Sequence, residues 1–125
     1  YRADGTVKWN ATNGGWGVCL DGLGRALVPQ GNRVFAYDKD DGTLVWTATL
    51  PFVGNIVEGL SIDVRSRIYV SSSDGVVACL KPDGTLAWSL KVADQLVTQP
   101  ALSTDGTAFV SGFFNYQLNY VFRIK

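Results

Sequence analysis

Histidine and methionine are both absent from the 125-residue chain. Without an imidazole there is no Ser-His-Asp triad, no Cys-His pair and no histidine metal site, so the commonest catalytic constellations cannot be assembled from these residues. Cysteine is scarce: Cys19 and Cys79 are too few for a disulfide framework and too far apart for a Cys-x-x-Cys metal or redox pair. Both lie in apolar contexts, Gly17-Val18-Cys19-Leu20 and Val77-Ala78-Cys79-Leu80, where a buried free thiol is expected. Charge of one sign is lacking too: eleven Lys plus Arg balance eleven Asp plus Glu, so the basic footprint that a phosphate backbone selects is missing and nucleic acid is not an expected partner. No apolar run approaches the roughly 18 residues that span a bilayer, and no signal peptide is recognisable. The absent initiator methionine leads to the expectation that either end is a cut in a longer polypeptide.

What is present is 46% hydrophobic and 12% aromatic, the composition of one compact domain or part of one. Its strongest signal is internal repetition. Asp4-Gly5-Thr6-Val7-Lys8-Trp9, Asp41-Gly42-Thr43-Leu44-Val45-Trp46 and Asp83-Gly84-Thr85-Leu86-Ala87-Trp88 share one pattern, with the tryptophans 37 and then 42 residues apart. Each Asp-Gly supplies the positive φ of a tight turn, and the alternation after it reads as a strand carrying Trp on one face.

Upstream of the second and third copies lie strand pairs, Arg25–Val28 with Arg33–Tyr37 and Arg67–Val70 with Val76–Leu80, followed later by Ala108–Val110 with Tyr120–Phe122. Before each pair stands a shorter apolar stretch, Gly17–Leu20, Gly59–Ile62 and Pro100–Ser103. The unit is four short strands, A to D, in about 40 residues, which defines an all-β chain of β-propeller blades built from four antiparallel strands. Helical periodicity of 3.6 is not found. Tryptophan-aspartate repeats need a Gly-His pair, kelch repeats need recurring Gly-Gly where only Gly14-Gly15 occurs, and sialidase-type Asp boxes space the aromatic residue differently.

Ala36-Tyr37-Asp38-Lys39-Asp40-Asp41-Gly42-Thr43-Leu44-Val45-Trp46 matches the Ala-x-Asp-x-x-x-Gly-x-x-x-Trp docking motif of pyrroloquinoline-quinone-like (PQQ-like) repeats. The chain resembles that quinoprotein-type propeller family over essentially its whole length. Ala78, Gly84 and Trp88 keep the spacing with Leu80 in place of Asp, Gly5 and Trp9 begin it, and Arg123 stands where the third blade would carry the Ala. The resemblance implies a structural role, each Trp stapling neighbouring blades together.

In strand order the chain reads D, A-B-C-D, A-B-C-D, A-B-C, about three blade equivalents: residues 1–15 as an outer strand of a preceding or closing blade, 16–57 and 58–98 as blades, 99–125 as an incomplete blade. Three blades do not close a ring. Two readings follow. Either the chain is an ordered piece of a longer propeller, or two copies complete each other's blades as a six-bladed homodimer.

Further candidates are weighed against ordinary structural roles. The carboxylates Asp38, Asp40 and Asp41 before Gly42 suggest a calcium loop, but they are out of register with Asp-x-Asp-x-Asp-Gly and lack the downstream Glu, so a solvated turn is expected. Asn10-Ala11-Thr12 fits a glycosylation acceptor that matters only in a eukaryotic secretory setting. The third B–C connection carries about five extra residues, and Phe113, Phe114 and Tyr116 in it are candidates for an interaction loop. Trp16 could be imagined as a quinone floor, but the adjacent cysteines of quinoprotein dehydrogenases are lacking.

No catalytic, cofactor-binding or metal-binding residue is assigned. The expected function is a non-catalytic propeller scaffold for protein–protein interaction, resembling the barrel-assembly lipoprotein class and, through the family alone, extracytoplasmic. The alternatives are a portion of a PQQ-dependent dehydrogenase or a carbohydrate-binding propeller.

Overall fold

A computed structural model describes residues 5–10, 17–114 and 117–124, and they contain strands, turns and bends with no helix. Twelve strands form three antiparallel sheets. The first sheet contains β1 (Cys19–Leu20), β2 (Arg25–Gln30), β3 (Arg33–Asp38) and β4 (Leu44–Thr49) in that spatial order. The second repeats it with β5 (Ser61–Ile62), β6 (Ile68–Ser71), β7 (Val76–Leu80) and β8 (Leu86–Lys91).

The third sheet is built differently. β11 (Ala108–Phe114) pairs with β12 (Gln117–Ile124) on one side, while on the other it takes β9 (Gln95–Leu96) and β10 (Ala101–Leu102) end to end. Its fourth strand is thus a divided inner strand, and β12 is an edge. The second sheet has the same division, because Ile56 bridges Ser72 before the chain leaves the ladder and returns as β5. The inner strands therefore begin at Ile56 and Gln95, ahead of the limits at 58 and 99 that the sequence suggested. Only the second half of each inner strand has the uninterrupted alternation by which a strand is recognised.

Alternation along the central strands separates two cores. Leu27, Val34, Ala36 and Ala48 of the first sheet meet Ile68, Val70, Ala78 and Leu80 of the second in one buried cluster. Tyr69, Val77 and Cys79, on the second sheet's opposite face, meet Ala108, Val110 and Ile124 of the third in another. Successive sheets therefore stack face to face, each burying a β-branched and aliphatic layer, as blades must when no single sheet can cover both its own faces. The inner strands add a polar tie: the Cys19 thiol donates to the Leu60 carbonyl at 3.1 Å, and the Ser61 hydroxyl donates to the Pro100 carbonyl.

Residues 5–10 join no β-ladder among the described residues, which hold neither a preceding nor a closing blade for them to edge. One expectation is corrected here. The added residues of the third B–C connection do not form a free loop through Phe113 and Phe114; they lengthen β11 and β12, which run on to a Phe114–Gln117 pair past a bulge at Gly112. Phe113 pairs with Gln95 and its carbonyl accepts from the Asp94 amide at 2.9 Å. Tyr116 lies outside the described residues, as do Trp16 and the Ala11-Thr12 half of the glycosylation triplet.

Candidate functional site: tryptophan locks and the groove beside them

Each C–D turn presents a glycine in the left-handed region, with φ of 74° at Gly42 and 86° at Gly84. The missing side chain leaves a flat seat, and an indole fills it. A Cβ at Gly42 would lie 2.6 Å from the Trp9 ring, and one at Gly84 would lie 2.6 Å from the Trp46 ring. The Trp9 indole N–H donates to the Lys39 carbonyl at 2.8 Å, and that of Trp46 donates to the Pro82 carbonyl at 3.1 Å. The ring of one repeat is therefore held on the turn of the next by shape and by a hydrogen bond. Trp9 also tilts against Tyr37 at 6.3 Å between centroids, and the Arg25 guanidinium stands 5.8 Å from the Trp46 ring centre, within cation–π range.

The register revises the motif in the second sheet. Ala36 lies directly opposite Trp46, immediately before a bulge. In the second sheet the residue opposite Trp88, again just before the bulge, is Cys79, while Ala78 pairs with Ser89 and faces the other core. The turns explain the slip. The Asp38 amide donates to the Thr43 carbonyl, whereas the Lys81 amide donates to that of Thr85, so the second turn is one residue shorter. Cys79 and Lys81 occupy the places of Ala36 and Asp38, and Pro82 that of Lys39. Ala78 matched the motif by sequence spacing alone. In the third sheet Arg123 stands opposite Phe109, as Ala36 stands opposite Leu27.

The acidic turn is engaged internally. One oxygen of Asp38 accepts from the amides of Asp40 and Asp41 at 2.8 and 3.2 Å, and Asp41 accepts from the Thr43 amide at 2.9 Å. The hydrogen bonds from Thr43 hold the Asp41 carboxyl below the usual carboxylate range. Asp40 faces the ammonium of Lys39 at 3.0 Å. Among the described residues no three His, Cys, Asp or Glu side chains are gathered as metal ligands. The cysteines are free, Cys19 packed against the first core and Cys79 in the second, which does not fit the paired-cysteine quinone site.

A second repeated device lies at the A–B turns. Asp21 and Asp63 each accept from two amides of their own turn and from the Nε of an arginine four residues on, Arg25 at 2.6 Å and Arg67 at 2.7 Å. The recurrence Asp-x-x-x-Arg was legible in the sequence at 21–25 and 63–67 and had not been singled out. In the third sheet Ser103 and Thr107 take these places with the same backbone bond, Ser103 amide to Thr107 carbonyl, at 2.9 Å.

Burial pushes the Asp63 carboxyl up, but the bonds from Arg67 and the Arg65 amide outweigh it and leave it below its ordinary value. The Tyr69 hydroxyl donates to Asp63 at 3.2 Å, and burial first, then the Cys79 thiol, pushes Tyr69 up to about 12. Between the second and third A–B turns opens a groove of about 380 Å³, lined by Asp63, Arg65 and Arg67 on one wall and Leu102, Ser103 and Asp105 on the other. Val64 stands fully exposed at its rim.

Stacked four-stranded sheets, the first locked to the second by Trp46 on the Gly84 turn, carry the signature of the PQQ-like class of β-propeller repeats. The family model described as outer membrane protein assembly factor BamB matches residues 1–112, and the chain belongs to this family. Among solved structures, BamB from Moraxella catarrhalis is similar at 16% identity over 74% of this chain and 27% of that one, with a TM-score of 0.56. A europium-containing methanol dehydrogenase is similar at 22% identity over 71% of this chain and 19% of that one, with a TM-score of 0.58. The dihydro-heme d1 dehydrogenase NirN is similar at 16% identity over 89% of this chain and 26% of that one, with a TM-score of 0.64. The chain thus spans about a quarter or less of the length of each. No curated protein sequence matches.

Proposed function

We propose that the chain is part of a non-catalytic β-propeller that acts as a rigid scaffold for protein–protein assembly, outside the cytoplasm. The observation that carries this reading is the use of the polar side chains. Asp21, Asp38 and Asp63 are all bound to their own turns, and the indoles of Trp9 and Trp46 are bound to neighbouring turns. Such groups are engaged within the frame and stiffen it. The groove between the A–B turns, with charged walls and the exposed Val64 at its rim, offers an apolar point inside a polar border, the layout of a protein-binding patch. The family's description as an assembly factor of outer membrane proteins supports the same class of task and the same location.

The dehydrogenase reading draws on the likeness to methanol dehydrogenase. The two separate by experiment. A photoreactive residue at Val64 of the whole protein is expected to trap a defined protein of the outer-membrane assembly machinery. Titration with pyrroloquinoline quinone and calcium is expected to give no stoichiometric binding and no dye-linked alcohol oxidation. Stoichiometric quinone binding would overturn the scaffold reading.

A further inference from the structure

The A–B turns of successive sheets meet at two junctions, and the first of these is closed. There a Cβ at Gly22 would lie 3.2 Å from the Ser66 hydroxyl, and Ser66 is buried. Counted from Asp21, Asp63 and Ser103, the same two places at the second junction are Val64 and Gly106. Gly106 brings no side chain to its neighbour, with nothing within 4 Å of where its Cβ would be, and Val64 stands fully exposed. The groove of about 380 Å³ is the space so left. Both turns join paired strands, β5 to β6 and β10 to β11, so its walls belong to the hairpins themselves.

These walls hold donors in excess. Asp63 already accepts from the Arg65 and Arg67 amides, from Arg67 Nε at 2.7 Å and from the Tyr69 hydroxyl at 3.2 Å. Asp105 accepts from the Ser103 hydroxyl and the Thr107 amide. Both carboxylates are thus bound by their own hairpins. The arginines are less fully used. Arg67 reaches Asp63 through Nε, which leaves its terminal nitrogens to other acceptors, and its side chain is 37% exposed. Arg65 is exposed, and among the described residues no acceptor takes a hydrogen bond from its guanidinium. Two guanidinium groups beside Val64 and the half-buried Ile62 and Leu102 suit a carboxylate that stands next to an aliphatic side chain.

We propose that this groove binds an extended acidic segment of a partner protein, its glutamate or aspartate on Arg65 and Arg67 and a neighbouring aliphatic side chain on Val64, Ile62 and Leu102. The proposal deepens the scaffold reading and rests on it. A small free carboxylate would use the arginines and leave the apolar contacts idle, whereas a protein segment uses both.

The test is fluorescence anisotropy of labelled peptides on the whole protein. The probe alternates valine and glutamate, and its companions carry glutamine or lysine in place of glutamate. The glutamate peptide is expected to bind about tenfold more tightly than the glutamine peptide, and the lysine peptide to bind more weakly still. Arg65→Glu should weaken the glutamate peptide by about tenfold and strengthen the lysine peptide, a reversal that loss of fold cannot produce. Gly106→Ser, which copies Ser66 at the first junction, should fill the groove and weaken all three peptides, with circular dichroism to report its fold. Equimolar glutarate should not displace the glutamate peptide. Equal binding of the three peptides, binding of none, indifference to Arg65→Glu, or displacement by equimolar glutarate overturns the proposal. Loss of peptide selectivity without quinone binding would strike this site and leave the scaffold reading standing.

Discussion

The indole of Trp46 lies flat on the backbone of Gly84, a residue of the next sheet, and its N–H reaches the carbonyl of Pro82 two residues earlier. Neither partner works without the other. Ala at position 84 would meet the ring at 2.6 Å with φ of 86°, combining overpacking with a left-handed conformation that an L-residue resists. We expect Gly84→Ala to cost about 3 kcal/mol from these two effects. Trp46→Ala, at a half-buried site, should cost about 3 kcal/mol. The double variant should lose about 1 to 2 kcal/mol less than the sum, because both remove the same contact. Strict additivity in urea melts would place the contribution of Trp46 elsewhere.

Acid should weaken the second sheet through Asp63. Its carboxyl is held below its ordinary value in the folded chain, so the stabilisation is full above the unfolded pKa of about 3.9 and disappears as pH falls through the lower folded value. Asp74, which accepts from the Ser72 hydroxyl and the Val53 and Gly54 amides, shifts in the same direction. Melting temperature should drop on acidification below pH about 4. Asp63→Asn should melt lower at neutral pH and lose less on acidification. Equal acid slopes for the two proteins would exclude Asp63 as a contributor.

Ser66 occupies a glycine position. Its φ is 61°, and the matching residues of the other A–B turns are Gly24 at 80° and Gly106 at 84°. Ser66→Gly should therefore raise stability, by about 0.5 to 1 kcal/mol once the longer reach of the unfolded glycine chain is subtracted. A urea midpoint that falls would mean that the buried serine side chain contributes more than the strain removes.

The two thiols should react in order. Cys79 is fully buried and burial pushes its thiol up, whereas Cys19 is half-buried. An alkylating reagent should label Cys19 first and reach Cys79 only at the rate of opening of the core. Simultaneous labelling would show that the second core opens as easily as the edge of the first.

The strands with clean alternation were legible before any coordinates: Arg33–Tyr37 and Val76–Leu80 reappear within β3 and β7. The lock residues Trp9, Gly42, Trp46 and Gly84 were legible as well, because an indole seat demands one residue type at each place. The register of the second sheet was not. A C–D turn shortened by one residue leaves the count from Ala78 to Trp88 equal to that from Ala36 to Trp46, and only hydrogen bonds reveal that Cys79 faces the ring. The divided inner strand was also hidden. Its break at Val57–Leu60 contains Glu58 with φ of 61°, a conformation that no sequence pattern announces for a glutamate. The Asp-x-x-x-Arg turns were visible as a repeat, yet only the geometry shows two amides and a guanidinium converging on one carboxylate.

The second sheet is flanked on both faces, with Val70 and Ala78 in one core and Val77 and Cys79 in the other. In a stack whose cohesion passes only between nearest neighbours, such a middle layer cannot melt without releasing both others, whereas an end layer can fray alone. In the isolated 125-residue polypeptide, amide hydrogens of β6 and β7 should thus exchange last, with protection falling away toward β1 and β12. Resistance to unfolding becomes a matter of position in the stack more than of local composition.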